Sequence, residues 1–300
     1  MARTTTWNKI GTPISQAKTI EEALNIANLN YTVEKVPVFL ENGLKVPGAF
    51  ATKKVGTDET FGVVGDKYEI IQNEEAFNFV DTLLPEGMKF IKAGETPKMV
   101  YIIASLPDTY ILDDKVTPYL IFQNSHCGKS TLRATITPLR IICQNQFNWA
   151  FRKASNKITI RHTSSAKGKL ETAKDILLRN SEYLDQFKLE AEKLAATPIT
   201  KHQLDTVIQS TFPIAADATP LSIARAEEKR EKFLLAYNAE DNQNFTGTAW
   251  GLVNAYSDFI THKDLKKNTP SAMENHFIKT TLKGEGIGSF IHTLNQAVAI

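Results

Sequence analysis

The chain has 300 residues, enough for about two domains and for a core that needs no covalent staples. Hydrophobic residues make up 42% and charged residues 23%, with 15 Gly and 12 Pro, which excludes disordered, collagen-like and purely coiled-coil chains. The formal net charge is only +2, two cysteines (Cys127 and Cys143) cannot make a disulfide framework, and neither zinc-ligand spacing nor a membrane or signal segment occurs, so a cytoplasmic protein without metal or cofactor is expected.

Thr19, followed three residues later by Glu22, forms a capping-box pattern and predicts a helix over about 20–29. Alternating β-formers around Asn42-Gly43 predict two or three antiparallel strands within 31–55. A short strand, a turn at Gly65-Asp66 and an extended piece follow, and Asn73 is placed to cap a second helix ended by Pro85 and Gly87. The runs MKFIKAGE, KMVYIIASL, TPYLIFQNS, STLRATITP and KITIRHT predict a meander of strands from about 88 to 163. One helix, capped by Asn145, is expected to interrupt it near NQFNWAFRKA, although Phe147, Trp149 and Phe151 alternate as in a strand. Asp113-Asp114 reads as a solvated turn.

Beyond Gly168 the pattern changes. Leu170, Ala173, Leu177, Asn180, Leu184, Phe187, Ala191 and Leu194 recur at alternating spacings of three and four, a heptad seam ended by Thr197-Pro198. Packing against later helices of the same chain is expected, and four further helical segments follow. The fold class is therefore α+β, an antiparallel β meander with packed helices followed by a helical C-terminal part. The division is a core domain over 1–168, carrying the basic strand region, and a helical domain over 169–300.

Charge is unevenly spread. From Lys115 to Leu170 there is no Asp or Glu, but there are ten bases: Lys115, Lys129, Arg133, Arg140, Arg152, Lys153, Lys157, Arg161, Lys167 and Lys169. The rest of the chain holds 25 bases against 33 acids. A stretch of that length ordinarily contains about six acids. Strands are poor in acids, which explains their absence but not ten bases. A basic, acid-free surface on an otherwise acidic molecule is the footprint of a polyanion site.

Gly128-Lys129-Ser130 matches the end of a phosphate-binding loop, but Gln123 stands where the first glycine belongs and the β-branched TLRATIT follows in place of a helix. A hairpin tip displaying Lys129 is expected. His126 and Cys127, as strand neighbours, would face opposite ways, giving a buried thiol and a partly exposed imidazole. Trp250, Asn254, Asp258 and His262 share one helical stripe, which suits either a functional face or an interhelical hydrogen-bond set. Bases stack on aromatic rings while cationic side chains follow phosphates. The candidate nucleic-acid-binding residues are therefore Lys129, Arg133, Arg140, Phe147, Trp149, Arg152, Lys153, Lys157, Arg161, Lys167 and Lys169. The aromatics suit a core equally well, which leaves the basic residues in place.

TPLRIICQNQF, then KITIRHT, a long helix and TAWGLVNAYSDFITH resemble the phage/plasmid-like protein family, domain-of-unknown-function family 932. Arg140, Cys143 and Asn145, the triplet Arg161-His162-Thr163, and Trp250 with Asn254-Ala255 and His262 carry that resemblance from about Thr19 onward. Gln146 and Phe259 depart from the Thr and Tyr expected there. The resemblance implies a phage or plasmid origin and a bacterial host cytoplasm. At fold level it is similar to single-strand annealing proteins of recombination, which assemble as rings around a basic DNA groove. It thus implies a non-catalytic, homo-oligomeric protein that binds and anneals single-stranded DNA. The alternative is an anti-defence or host-takeover protein gripping an acidic host protein. An enzyme of phosphodiester chemistry would want clustered carboxylates, which the basic segment lacks.

Overall fold

The computed structural model describes residues 11–78, 87–96, 99–112, 114–140, 145–146, 157–166, 168, 180–261, 269, 272, 276 and 286–298. After a two-residue strand β1 (Thr12–Pro13), helix α1 (Ile20–Ile26) begins where the capping box predicts. Thr19 Oγ1 accepts from the Glu22 amide at 3.2 Å, and the Glu22 carboxylate accepts from the Lys18 amide at 2.6 Å. These bonds satisfy amides that a helix start leaves open. The helix stops short of residue 29 because Asn28 turns into the left-handed region at φ 56°.

Strands β2 (Val33–Phe39) and β3 (Lys45–Lys54) form the hairpin that Asn42-Gly43 dictates. Gly43 takes φ 79°, its amide donates to the Leu40 carbonyl at 2.9 Å, and Leu40 N donates to Leu44 O at 2.8 Å. With β4 (Thr60–Val64) they make a three-stranded antiparallel sheet, ordered β2-β3-β4. The next helix, α2 (Asn73–Asn78), begins with Asn73 itself. That side chain does not cap the helix as expected, because it turns into the interior toward other partners.

The predicted meander is realised as β5 (Lys89–Thr96), β6 (Met99–Ser105), β7 (Thr109–Ile111), β8 (Asp114–Asn124), β9 (Leu132–Arg140), β10 (Asn145–Gln146) and β11 (Lys157–Ile160). With β1 they form an eight-stranded antiparallel sheet that runs β1-β5-β6-β8-β9, with β7 beside β8 and both β10 and β11 beside β9. Asn145 is a strand residue opposite Arg140, not a helix cap, while 147–156 lie outside the described residues. Between β7 and β8 the chain turns at Leu112, φ 50°; of the acidic pair expected in a turn, Asp114 is instead the first residue of β8, opposite Ile111, and Asp113 lies outside the described residues.

Period-two alternation assigns the sheet's faces. Phe90, Ala104, Leu120 and Ile136 form one cross-strand row, and Ala93, Ile102, Phe122 and Ala134 another. Both rows are buried with Ile20, Leu24, Ala76 and Phe77 of α1 and α2 in one apolar core. A side chain of this size contributes roughly 1.5–3 kcal/mol when fully buried.

The C-terminal half is helical: α3 (Asn180–Ala195), α4 (Lys201–Thr211), α5 (Pro220–Tyr237), a 3-10 turn (Glu240–Phe245), α6 (Ala249–Thr261) and α7 (Ile287–Val298). Phe187, Ala191 and Leu194 of the heptad seam are buried here with Phe233, Trp250 and Phe290, so this part of the seam is intramolecular core. Leu170, Ala173 and Leu177 lie outside the described residues. Trp250, Asn254 and Asp258 are also buried, which makes the α6 stripe interior, and His262 lies outside the described residues. Val116, near the start of β8, belongs to this second core, so β8 ties the helices to the sheet. Among the described residues no helix is long and apolar enough to cross a membrane.

Candidate nucleic-acid interface

The acid-free segment supplies β8 from Lys115 onward, the 125–131 hairpin tip, β9, β10 and β11. Because Leu132, Ala134 and Ile136 point into the core, Arg133 stands on the opposite face of the sheet. Register carries that face across the strands: Gly94, Tyr101, Gln123, Arg133 and Thr159 form one row, and Lys92, Ile103, Ile121, Thr135 and Lys157 the next. Burial holds the Lys92 ammonium below its ordinary pKa. Arg133 is half-buried and its Nε donates to Thr131 Oγ1 at 3.1 Å, which fixes the direction of its guanidinium. Arg161 is exposed just past Ile160, the register partner of Leu132. Arg161 therefore comes beside the hairpin tip, where Lys129 is also exposed.

The hairpin tip does not stand free. The Thr52 hydroxyl of β3 donates to the His126 carbonyl at 2.6 Å, and the Tyr68 hydroxyl donates to the Ser125 carbonyl at 2.9 Å. Gly62 of β4 is required there: a Cβ would meet the Cys127 carbonyl oxygen at 2.6 Å. Gly128 has φ 71°, and a Cβ on it would meet Val64 Cγ1 at 2.6 Å. The small sheet thus clasps the tip from one side.

Beneath the tip lies a buried polar node. Asn124 Nδ2 donates to the Ile71 carbonyl at 2.9 Å and to Asn73 Oδ1 at 3.1 Å, while Asn73 Nδ2 donates to the Leu29 carbonyl at 2.9 Å. Asn73 Oδ1 is an acceptor, so His126 Nε2 carries the proton and donates to it at 2.9 Å. His126 is only 3% exposed, correcting the expected half-exposed imidazole; Cys127 is buried as expected. The strand argument fails because residues 125–130 are loop, where alternation has no meaning. Desolvation, helped by the nearby His162, pushes the His126 pKa down to about 4. Burial also lowers that of His162, which is 6% exposed and stacks on Tyr68 with 5.1 Å between ring centroids. The Tyr68 hydroxyl is raised by burial. On the far side of His126, Tyr31 stacks on Phe61 at 5.8 Å, donates to Glu95 at 2.8 Å and carries the Lys54 ammonium 4.1 Å from its ring centroid.

Of the residues singled out from the sequence, the structure brings Lys129, Arg133 and Arg161 to one end of the sheet. Arg140 ends β9, and Lys157 begins β11 opposite Thr135, so both lie away from the hairpin tip, with their side chains outside the described atoms. Phe147, Trp149, Arg152, Lys153, Lys167 and Lys169 lie outside the described residues. Sequence reasoning missed Thr52, Tyr68 and Asn124 and read Asn73 only as a cap, because their roles depend on partners more than 50 positions away. His162 carried a signal, since it follows Arg161 directly in the quoted triplet.

A family model described as a domain of unknown function (DUF932) matches residues 60–280, from β4 to beyond α6. No curated protein and no solved structure matches.

Proposed function

We propose that this chain, which belongs to the DUF932 family, is a phage- or plasmid-encoded protein that binds single-stranded DNA and promotes pairing of complementary strands. The observation that carries this reading is the clustering of Lys129, Arg133 and Arg161 at one end of a sheet within a segment that has ten bases and no acid. Phosphates held by fixed cations leave base edges turned outward, free to meet an incoming strand. The role is non-catalytic, and positioning supplies the whole mechanism. A homo-oligomer, in a ring, would extend the basic track along the strand. Since Phe187, Ala191 and Leu194 are internal, the contact between copies would use another surface. Titration of a labelled oligothymidylate without metal, repeated as salt rises, tests the reading. Affinity should fall with a log–log slope of about −0.7 per phosphate contact. A flat slope, or no binding at low salt, would overturn it.

A second reading has its own support. Phe39, Leu40, Leu44, Val55 and Val63 of the small sheet and its turns stand exposed. Such apolar clusters suit a protein partner, as an anti-defence or host-takeover protein would need. Loss of an acidic host partner on substitution of Phe39 and Leu44, with no DNA binding by the unaltered protein, would favour it.

A further inference from the structure

The hairpin tip and the turn after β11 meet across one residue. Tyr68 holds the Ser125 carbonyl through its hydroxyl and His162 through its ring, so segments 125–131 and 161–166 are fixed side by side. The Glu69 amide adds a bond to the His162 carbonyl at 3.2 Å. Past His162 the chain closes a tight turn, in which Thr163 N donates to Arg161 O at 2.9 Å and Ala166 N to Thr163 O at 2.8 Å. Ser164 and Ser165 are left in solvent, and the Thr163 and Ser165 hydroxyls lie 3.2 Å apart. Lys129 and Arg161 are both exposed, and the register that sets Ile160 opposite Leu132 brings Arg161 beside the end of the tip that carries Lys129 and Ser130, with no acid in either segment.

We propose that this junction is a seat for the terminal phosphate of a DNA strand, with Lys129 and Arg161 supplying charge and Ser130, Ser164 and one of Thr163 and Ser165 supplying hydroxyl donors. It rests on the single-strand reading above. An internal phosphodiester offers two free oxygens and one negative charge. A terminal phosphomonoester offers three oxygens and a charge of about −1.5 to −2 at neutral pH. With one of the Thr163 and Ser165 hydroxyls donating to the other, two cations and three hydroxyl donors remain, which match the second ligand better than the first. The tip lies beyond Asn124 and Leu132, at the end of β8 remote from Val116 and the helical core, where Lys129 and Arg161 are exposed while Gln123 and Thr135 on the sheet are buried.

The test compares the full-length protein's affinity for one oligothymidylate bearing a 5′-phosphate, a 3′-phosphate or neither, at a fixed salt concentration. One phosphorylated end should bind about tenfold more tightly than the unmodified strand, the worth of a single charge-assisted hydrogen bond. That gain should vanish in Arg161→Ala and in Lys129→Ala, whose exposed side chains leave the melting temperature unchanged. Equal affinity for all three strands would overturn the seat while leaving single-strand binding intact. A gain that survives both substitutions would overturn its location. No binding of any strand at low salt would overturn the single-strand reading and the seat with it.

Discussion

Tyr68 lies parallel to His162, with 15° between ring planes and 5.1 Å between centroids, while its hydroxyl reaches back 2.9 Å to the hairpin tip. One side chain therefore locks two pieces of chain, each bearing an exposed cation. Replacing it with Phe keeps the ring stack but removes the hydroxyl donor to the Ser125 carbonyl. Tyr68→Phe should cost about 0.5–1.5 kcal/mol, and Tyr68→Ala about 3–5 kcal/mol. Urea unfolding of the two variants checks the order: an unchanged Tyr68→Phe would mean that the hydroxyl contributes nothing, and equal losses would mean that the ring stack contributes nothing beyond it.

Acid should weaken the fold through His126. Its folded pKa is about 4 against 6.5 for the ordinary imidazole, so between those values the unfolded chain binds the extra proton. Stability is then complete above about pH 6.5, falls as the pH drops toward about 4, and levels off below, a loss on the order of 3 kcal/mol. His162 is shifted in the same direction and adds to the loss. In His126→Gln, which keeps an N–H for Asn73, the decline across this window should shrink to what His162 contributes. Denaturant midpoints across that pH range give the comparison, and an unchanged decline would remove His126 from the account.

DNA titrations and melting curves on single Ala variants separate phosphate contacts from structural cations. Lys129→Ala, Arg133→Ala and Arg161→Ala should each lower the salt slope by about 0.7. Lys129 and Arg161 are exposed, so their loss should leave melting unaltered; the bond from Arg133 to Thr131 makes a small loss its expectation. Arg152→Ala should behave like Arg161→Ala. Arg140→Ala joins them if its guanidinium meets phosphate, whereas a buried pairing would show as a loss of about 3–5 kcal/mol. Wild-type slopes throughout would sink the interface.

Phe187 anchors α3 by packing edge-on against Trp250 at 6.0 Å. Phe187→Ala should cost about 3–5 kcal/mol by leaving a cavity that the helices cannot collapse into. Near-ultraviolet circular dichroism at the tryptophan band, read beside the unfolding midpoint, follows it. A subunit that dissociates without losing stability would instead place Phe187 at a contact between copies.

Local chemistry was readable from the residues, and distant chemistry was not. Thr19 with Glu22 and Asn42 with Gly43 act within a few positions, so their helix start and hairpin follow from composition alone. The β-branched runs from 88 to 163 likewise fix their strands. Asn73 looked like a cap because caps are the commonest use of an Asn before a helix. Its partners, Leu29, Asn124 and His126, come together only when the chain just past α1 and the start of α2 pack against the end of β8. His126 was misread for a related reason: alternation belongs to strands, and burial in a loop is set by what closes over it. Arg133 and Arg161 were recognisable as bases, but their nearness follows from the β9–β11 register, which no residue type announces.

The clasp on the hairpin tip also sets an order of events while the chain is being made. Strands β5, β6, β8 and β9 are consecutive antiparallel neighbours and can pair as they leave the ribosome. The bond from Thr52 to the His126 carbonyl must wait 74 residues, and the Tyr68 stack must wait until His162 emerges later still. At roughly 5–20 residues per second, the small sheet spends several seconds without the loop it will grip. The cationic corner is therefore assembled after both sheets have begun to form, and a nascent chain halted before residue 162 presents its lysines and arginines on an unclosed surface.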